Sequence, residues 1–152
     1  MNNLLELSEV TKSYDTGLPP AVDQVSFSCL EGQILAVIGS SGSGKTTFVQ
    51  GFARTFGVIG RIGSPTFKLV SEYEVGQKWL YHIDAYRLEG VNDFLRIGGE
   101  EYLRPERGIT LIEWADVISD IFDENIINIT FSRLKENPNS RKIKVKGITI
   151  DV

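Results

Sequence analysis

The sequence has one cysteine and one histidine among its 152 residues, and no hydrophobic run long enough to cross a membrane. Cys29 has no second cysteine to pair with, and its alternation with Val25 and Phe27 is typical of a small core side chain. A lone histidine is a poor metal site, so we expect His82 to make a structural hydrogen bond near a strand end. The first residues lack the basic-then-apolar layout of a signal peptide, so we expect a cytoplasmic protein with no membrane partner.

Basic residues are fewer than acidic residues. The formal net charge is −4, which argues against a protein built mainly to coat nucleic acid. The final segment is an exception, and its cluster of basic residues predicts either a phosphate-binding face or a solvated sheet edge protected by charge. The acidic balance of the whole chain favours the edge interpretation. The basic residues are Arg133, Lys135, Arg141, Lys142, Lys144 and Lys146.

The stretch GSSGSGKTT fits the phosphate-binding loop pattern G-x-x-x-x-G-K-[ST], with Gly39, Gly44, Lys45 and Thr46 at the fixed positions. A polyphosphate needs many converging N–H donors, and glycines let the backbone wrap closely around it. Lys45 would place a compact charge at the terminal phosphates, and the Thr46 hydroxyl is a suitable Mg²⁺ ligand. The predicted nucleotide-binding residues of this loop are Ser41, Gly42, Ser43, Gly44, Lys45, Thr46 and Thr47.

The residues around this loop fit the same interpretation. Residues 34–38 form a short apolar run, as expected of a buried parallel strand. Apolar residues recur at helical spacing from Phe48 to Phe56, and Gly57 supplies a stop. Strand, loop and helix therefore follow in the required order, with the helix N-terminus pointing at the anion. The alternative is an ordinary Gly/Ser turn between a strand and a helix.

Two acidic residues are candidates for the chemistry of a nucleotide site. Glu113 follows the apolar strand 109–112, which would bring it to the sheet edge where ligands bind and suit it to Mg²⁺ coordination, directly or through water. Asp84 follows the strand 79–83 and could orient or deprotonate an attacking water. The alternatives are a surface carboxylate at a strand end for Glu113 and a turn-initiating aspartate for Asp84. Lys45, Asp84 and Glu113 form the predicted catalytic set.

Two further side chains are candidates for contacts with phosphate. Thr66 lies in a Ser-Pro-Thr loop after the first helix, where a switch segment could sense the terminal phosphate. The alternative is a stiff proline-containing connector. Arg87 could contact phosphate or pair with a carboxylate, since its planar fork suits both.

The remaining pattern predicts an α/β fold in which a mixed sheet has a parallel core and antiparallel hairpins, as one domain spanning residues 1–152. Alternation indicates strands near Leu5 and Val25 and hairpins over 68–83 and 127–148, the second with its turn at 138–140. Helices are expected over 92–97, with Asn92 as the cap, and over 116–122.

The beginning of the chain resembles an ABC-type transport ATPase, through EVTKSYDTG and then VSFSCLEGQILAVIGSSGSGKTT. This resemblance implies that Tyr14 stacks on adenine; the alternative is an aromatic packing on its own domain. The resemblance stops after the helix, where an ABC ATPase would need a glutamine loop and then its signature. RIGGEE at 96–101 only faintly resembles that signature and lacks its serine.

After the phosphate loop, the ordered segments SPTFKLVSEY, LYHIDAYRL, EEYL and GITLIEWAD resemble the bacterial TsaE family. The resemblance runs to Asp116 and implies a P-loop NTPase-type three-layer fold that binds ATP and Mg²⁺. It implies that Thr46 and Glu113 serve the metal, and that Thr66, Asp84 and Trp114 match the family's switch threonine, aspartate and tryptophan. Family members usually open with a helix and a short strand, so this chain departs from them at its N-terminus.

The same resemblance implies an accessory ATPase for making threonylcarbamoyladenosine in tRNA. Hydrolysis would be weak and would depend on TsaD-type and TsaB-type partner proteins, with tRNA contacted only indirectly. A nucleotide-dependent scaffold in which hydrolysis is incidental is a second interpretation, and an ABC-type transport module is a third. Turnover with a non-hydrolysable ATP analogue would favour the scaffold, and ATP-driven dimerisation with a membrane partner would favour the transporter.

Overall fold

The computed structural model describes residues 3–12, 17, 22–65, 67–123, 126–137 and 140–147. Tyr14, Thr66 and the predicted turn residues Pro138 and Asn139 lie outside this part of the chain. The strands are β1 (Asn3–Lys12), β2 (Val22–Leu30), β3 (Ile34–Gly39), β4 (Val70–Val75), β5 (Lys78–Asp84), β6 (Gly108–Glu113), β7 (Ile126–Arg133) and β8 (Arg141–Lys146). The helices are α1 (Lys45–Phe56) and α2 (Val91–Arg96), with 3-10 segments at Ala85–Arg87, Gly99–Tyr102 and Ala115–Ile121.

A six-stranded mixed sheet in the order β4-β5-β6-β3-β7-β8 forms the centre of the fold. β3 runs parallel to both β6 and β7, and β5 runs parallel to β6. An antiparallel hairpin closes each edge, β4 with β5 on one side and β7 with β8 on the other. The predicted parallel core with antiparallel hairpins is therefore confirmed. The carboxyl ends of β3, β5 and β6 meet at one edge, where a parallel sheet binds its ligands.

The strand β3 divides the hydrophobic core into two layers. Leu35 and Val37 pack in a cluster with α1, whereas Ile34 and Ala36 pack on the opposite face in a cluster with α2 and the 3-10 segments. Successive strand residues point to opposite faces, so an unbroken apolar run can supply both layers. The three-layer α/β architecture expected from the sequence is observed.

The strands β1 and β2 pair only with each other, as a separate two-stranded antiparallel sheet. Leu5, Phe27 and Cys29 point from it into the core cluster that contains α1. Cys29 is completely buried, and desolvation raises its pKa to about 12. The prediction of a core cysteine is confirmed.

Two predicted helical segments are present but differ from the prediction in detail. The helix predicted over 92–97 begins at Val91, after Gly90, and Asn92 lies inside its first turn instead of capping it. Gly90 has φ 152°, a conformation open to glycine, and this lets the helix begin one residue early. The helix expected over 116–122 is a 3-10 segment that begins at Ala115 and is broken at Ile118, where φ is −123°. Propensity alone does not distinguish such short, tightly wound segments from an α-helix.

Candidate functional site

The phosphate loop joins β3 to α1 and depends on glycines. Gly42 and Gly44 have φ values of 70° and 106°, which L side chains rarely adopt. Gly44 occupies the N-cap position of α1, and no side chain caps the helix there. The first N–H groups of α1 therefore have no capping side chain to accept their hydrogen bonds, and this is the arrangement that binds anions at helix N-termini.

Lys45 is buried at the start of α1 and lies across the loop. Its Nζ donates to the carbonyl oxygens of Gly39 at 2.5 Å and Ser40 at 3.0 Å, and it sits 4.0 Å from the centroid of the Trp114 ring. Burial lowers the pKa of Lys45, while the nearby carboxylates of Glu113, Asp116 and Asp84 act in the opposite direction. The ammonium is thus held in a partly dry position beside the loop.

Glu113 connects the loop to the sheet. One carboxylate oxygen, Oε2, lies 3.5 Å from Thr46 Oγ1, and the other, Oε1, lies 2.8 Å from His82 Nε2. His82 and Glu113 are both buried, on the neighbouring parallel strands β5 and β6. The structural hydrogen bond predicted for His82 is therefore observed. Its partner is the acid predicted to serve the metal, and the sequence did not reveal that pairing.

Asp84 pairs with Glu113 in the register of β5 and β6, so the two acids end their strands at the same level. Asp84 Oδ2 accepts from Ser64 Oγ at 2.5 Å, and Oδ1 accepts from the backbone N–H of Tyr86 at 3.1 Å. The second contact caps the 3-10 segment that follows, as expected of the turn-initiating alternative. A role for Asp84 toward water stays a prediction.

A cleft of about 430 Å³ brings these groups together above the loop. Nine residues predicted from sequence line it, and Ser64 and Tyr86 line it in addition. Neither residue is predicted from sequence as a ligand contact, although Ser64 lies in the segment SPTF and Tyr86 in the segment HIDAYR. The full lining is Ser41, Gly42, Gly44, Lys45, Thr46, Thr47, Ser64, Asp84, Tyr86, Glu113 and Trp114.

Ser43 is the predicted loop residue that does not line the cleft. Its side chain is buried, and its Oγ has no hydrogen-bond partner in the described part of the chain. A Cβ added to Gly39 would lie 2.7 Å from that oxygen, so the hydroxyl packs against the beginning of the loop. Ser43 can therefore reach a ligand through its backbone only.

Trp114 and Tyr86 form an aromatic wall of the cleft, with ring centroids 5.0 Å apart. Trp114 directly follows β6 and has φ 56° and ψ 37°, an uncommon left-handed conformation for a large side chain. Such backbone strain tends to occur at functional sites. This conformation ends the strand and accompanies the placement of the indole against Lys45.

Arg87 does not line the cleft. Its guanidinium carbon lies 5.7 Å from the centroid of the Phe67 ring, which is 92% exposed. Among the described residues no carboxylate pairs with Arg87, and its contact with phosphate stays a prediction. Phe67 directly follows Thr66, whose predicted role lies outside the described residues, as does that of Tyr14.

The oxygen donors at the loop fit Mg²⁺. Thr46 Oγ1 and Glu113 Oε2 are hard oxygen ligands close enough to share one ion or its water shell. Among the described residues, no group of three or more His, Cys, Asp or Glu side chains could hold a metal. Mg²⁺ takes one or two protein oxygens and completes its shell with phosphate and water, so this small donor set suits it.

Comparison with known proteins assigns the chain to a family. The family model described as "Threonylcarbamoyl adenosine biosynthesis protein TsaE" matches residues 19–143. The chain belongs to the TsaE family. The match covers the phosphate loop, both acids and all of β3 to β7, so the ABC-type resemblance of the N-terminus does not determine the family.

The relatives of this TsaE-family chain carry the name "tRNA threonylcarbamoyladenosine biosynthesis protein TsaE". The protein of Bacillus subtilis is 38% identical over 67% of this chain and 63% of its own length. That of Treponema pallidum is 36% identical, over 76% and 82% respectively. That of Synechocystis is 42% identical, over 56% and 55%. The chain thus spans between about half and four fifths of the relatives it matches.

A crystal structure of Bacillus subtilis YdiB shares the fold, with a TM-score of 0.60 and 34% sequence identity. The superposition covers 74% of this chain and 66% of YdiB. Among the described residues, no helix is both long enough and apolar enough to span a membrane.

Proposed function

We propose that this TsaE-family chain binds ATP with Mg²⁺, hydrolyses it weakly, and serves the complex that makes threonylcarbamoyladenosine in tRNA. One observation carries the proposal. Lys45 and Thr46 at the start of α1 converge with Glu113, at the end of a distant strand, around a single cleft above a phosphate loop. A cleft formed only by a Gly/Ser turn would not need a buried acid facing the threonine hydroxyl.

Each side chain has a separate task in this proposal. The loop N–H groups and Lys45 bind the phosphates, as the motif predicts. Thr46 and Glu113 would hold Mg²⁺, which would neutralise charge that develops on the phosphate oxygens. The aromatic wall of Trp114 and Tyr86 borders the same cleft, and we assign it no chemical step.

Asp84 is the proposed residue for orienting water. Hydrolysis adds water to the γ-phosphorus and breaks its bond to the bridging oxygen, which releases ADP and inorganic phosphate. The hydrogen bonds from Ser64 and from the Tyr86 backbone fix the Asp84 carboxylate in one orientation at the cleft. Fixed orientation is what positioning a nucleophile requires.

Coupling to partners would require the ATP and ADP states to bind TsaD-type and TsaB-type proteins with different affinities. Thr66 is the proposed sensor. Phe67, next to it in sequence, is almost fully exposed, so a change at Thr66 would be transmitted directly to an apolar group at the surface. The proposed contact with tRNA is indirect.

A nucleotide-dependent scaffold is the second candidate, and one feature of the cleft favours it. None of the described residues that line the cleft is an arginine, although an arginine that stabilises the transition state accelerates hydrolysis strongly in related chemistry. Slow turnover in the isolated chain fits both candidates. A modification assay with a non-hydrolysable ATP analogue separates them, because multiple turnovers with that analogue would establish the scaffold.

The primary test is ATPase activity with and without TsaD-type and TsaB-type proteins, together with nucleotide binding. We expect stimulation by the partners, loss of binding in Lys45→Ala, and near-normal binding with lost turnover in Glu113→Ala. Glu106→Ala is the matched control, because Glu106 is an exposed acid shortly before β6 and does not line the cleft. Normal turnover in Glu113→Ala would remove that residue from the mechanism.

A further inference from the structure

Two arginines of the final hairpin contact the phosphate loop from outside the cleft. Arg133 Nη2 donates to the carbonyl oxygen of Ser41 at 3.2 Å, and Arg141 Nη2 donates to that of Gly42 at 3.4 Å. Neither arginine lines the cleft. These contacts join residues more than ninety positions apart, between a loop and a hairpin that share no local sequence.

The sheet register brings the two guanidinium groups to the loop. β7 pairs with β3 up to Gly39, which lies opposite Phe131, so β7 continues for two residues beside the loop. Arg133 is the last of these, and its cross-strand partner on β8 is Arg141. The Arg141 guanidinium also donates through Nη1 to the carbonyl oxygen of Ser140 at 3.0 Å, which fixes its direction.

The carbonyl contacts determine the directions of two N–H groups. In a trans peptide the C=O and the N–H of the same unit point in opposite directions, and the described chain contains no cis bond. A guanidinium that holds the Ser41 carbonyl outward therefore turns the Gly42 N–H toward the cleft that Gly42 lines. The contact of Arg141 with the Gly42 carbonyl fixes the peptide plane between Gly42 and Ser43. The Ser43 N–H of that plane donates to the Ser40 carbonyl and closes the turn.

The close approach of Arg133 depends on the glycine at position 42. A Cβ added there would lie 2.3 Å from Arg133 Nη2, so the guanidinium would have to move away from the loop. Gly42 has φ 70° as well. The absent side chain at Gly42 therefore makes room for the guanidinium behind the loop.

We propose that Arg133 and Arg141 form a guanidinium clamp that positions the phosphate loop for di- and triphosphate nucleotides. The proposal rests on the proposed function, because it requires that the loop bind nucleotide. It divides the basic hairpin into two groups. The arginines act on the loop, whereas Lys142 lies on the opposite face of β8 by strand alternation.

The test measures the affinity of the full chain for ADP and ATP by calorimetry. We expect Arg133→Met and Arg141→Met to weaken both nucleotides about threefold each, and the double variant about tenfold, as for hydrogen bonds made near solvent. Lys142→Met is the control, since it removes the same charge from the same strand and should bind like the wild type. The amide of Ser43, which donates to the Ser40 carbonyl, should exchange its hydrogen faster in the double variant, and this measurement needs no nucleotide.

Two further measurements separate orientation from charge. The loss should persist at about 0.5 M salt, where the Debye length is about 4 Å and distant charges are screened. A double Arg133→Lys and Arg141→Lys variant keeps both charges but not the forked donors, and should still bind more weakly than the wild type. Thermal melting checks that each variant is folded.

Three results would overturn the clamp: wild-type affinity in the double Met variant, an equal loss in Lys142→Met, or full recovery in the double Lys variant. Failure of the proposed function gives a different result, because the wild-type chain itself would then bind neither ADP nor ATP. Unchanged exchange at the Ser43 amide in the double Met variant would also count against the clamp.

Discussion

Replacing His82 with alanine should destabilise the fold far more than breaking a surface ion pair of the same length. His82 Nε2 lies 2.8 Å from Glu113 Oε1, and the two side chains are only 2% and 3% exposed. His82→Ala removes the donor that faces the buried Oε1. The Thr46 hydroxyl does not replace it, because that hydroxyl faces the other carboxylate oxygen, Oε2, at 3.5 Å. An uncompensated buried carboxylate is among the costly defects in a folded protein.

The expected loss is about 3 kcal/mol of unfolding free energy, the usual cost of removing one partner from a buried charged hydrogen bond. For a chain of 152 residues, the entropy of unfolding is about 0.3 kcal/mol/K. The loss should therefore lower Tm by about 9 °C. His82→Gln keeps an N–H donor at a similar distance from the backbone, on a more flexible side chain, and should recover about half of the loss.

Urea denaturation followed by tryptophan fluorescence measures these differences. The control is Arg104→Ala, because Arg104 Nη2 lies 2.6 Å from Asp123 Oδ2 but the two side chains are 80% and 44% exposed, and it should cost under about 1 kcal/mol. Adding Glu113→Gln to His82→Ala should restore at least about 1 kcal/mol, since a neutral amide costs less to bury unpaired. The reasoning is refuted if His82→Ala costs no more than Arg104→Ala.

Three other predictions concern single positions. Gly57→Ala should lower the free energy of unfolding, measured by urea denaturation, by about 1–2 kcal/mol. Gly57 has φ 114°, and an added Cβ would lie 2.8 Å from a valine methyl group of β4. The control, Gly51→Ala inside α1, should stabilise the fold. The Glu72 carboxylate, hydrogen-bonded to the Tyr102 hydroxyl, raises the pKa of Tyr102 to about 12. The stabilisation that comes from this raised pKa is complete below pH 10 and is lost as pH rises toward 12. Tyr102→Phe should therefore flatten the dependence of unfolding free energy on alkaline pH. An unchanged dependence would contradict the assignment. Cys29 should resist a thiol reagent at pH 8 until urea unfolds the chain, and rapid reaction of the native protein would contradict its burial.

The sequence predicts most of the fold, because its signals are local and consistent with one another. The apolar run before the loop, the helical spacing after it and the glycine stop correspond to β3, α1 and Gly57, whose backbone is left-handed as a C-cap requires. The predictions that differ in detail from the structure concern the short segments around Asn92 and Ile118. There, one residue's backbone freedom or one kink outweighs propensity.

The candidate site was predictable to the extent that its residues belong to motifs. The sequence does not reveal side-chain contacts that depend on the register of the sheet. The pairing of His82 with Glu113 requires β5 beside β6, and the contact of Arg133 with the loop requires β7 beside β3. The left-handed backbone of Trp114 has no local sequence signal, since glycine and asparagine are the residues that usually adopt it.

The placement of β3 between β6 and β7 has a consequence for how the chain reaches its native state. Thr46 meets Glu113 from 67 positions away, and Ser41 meets Arg133 from 92. Such distant closures slow folding, and a growing polypeptide that ends before β7 lacks the strand beside the loop and the Arg133 contact. Nucleotide would then bind more tightly to chains whose last strands have docked, and would by mass action draw late folding intermediates toward completion.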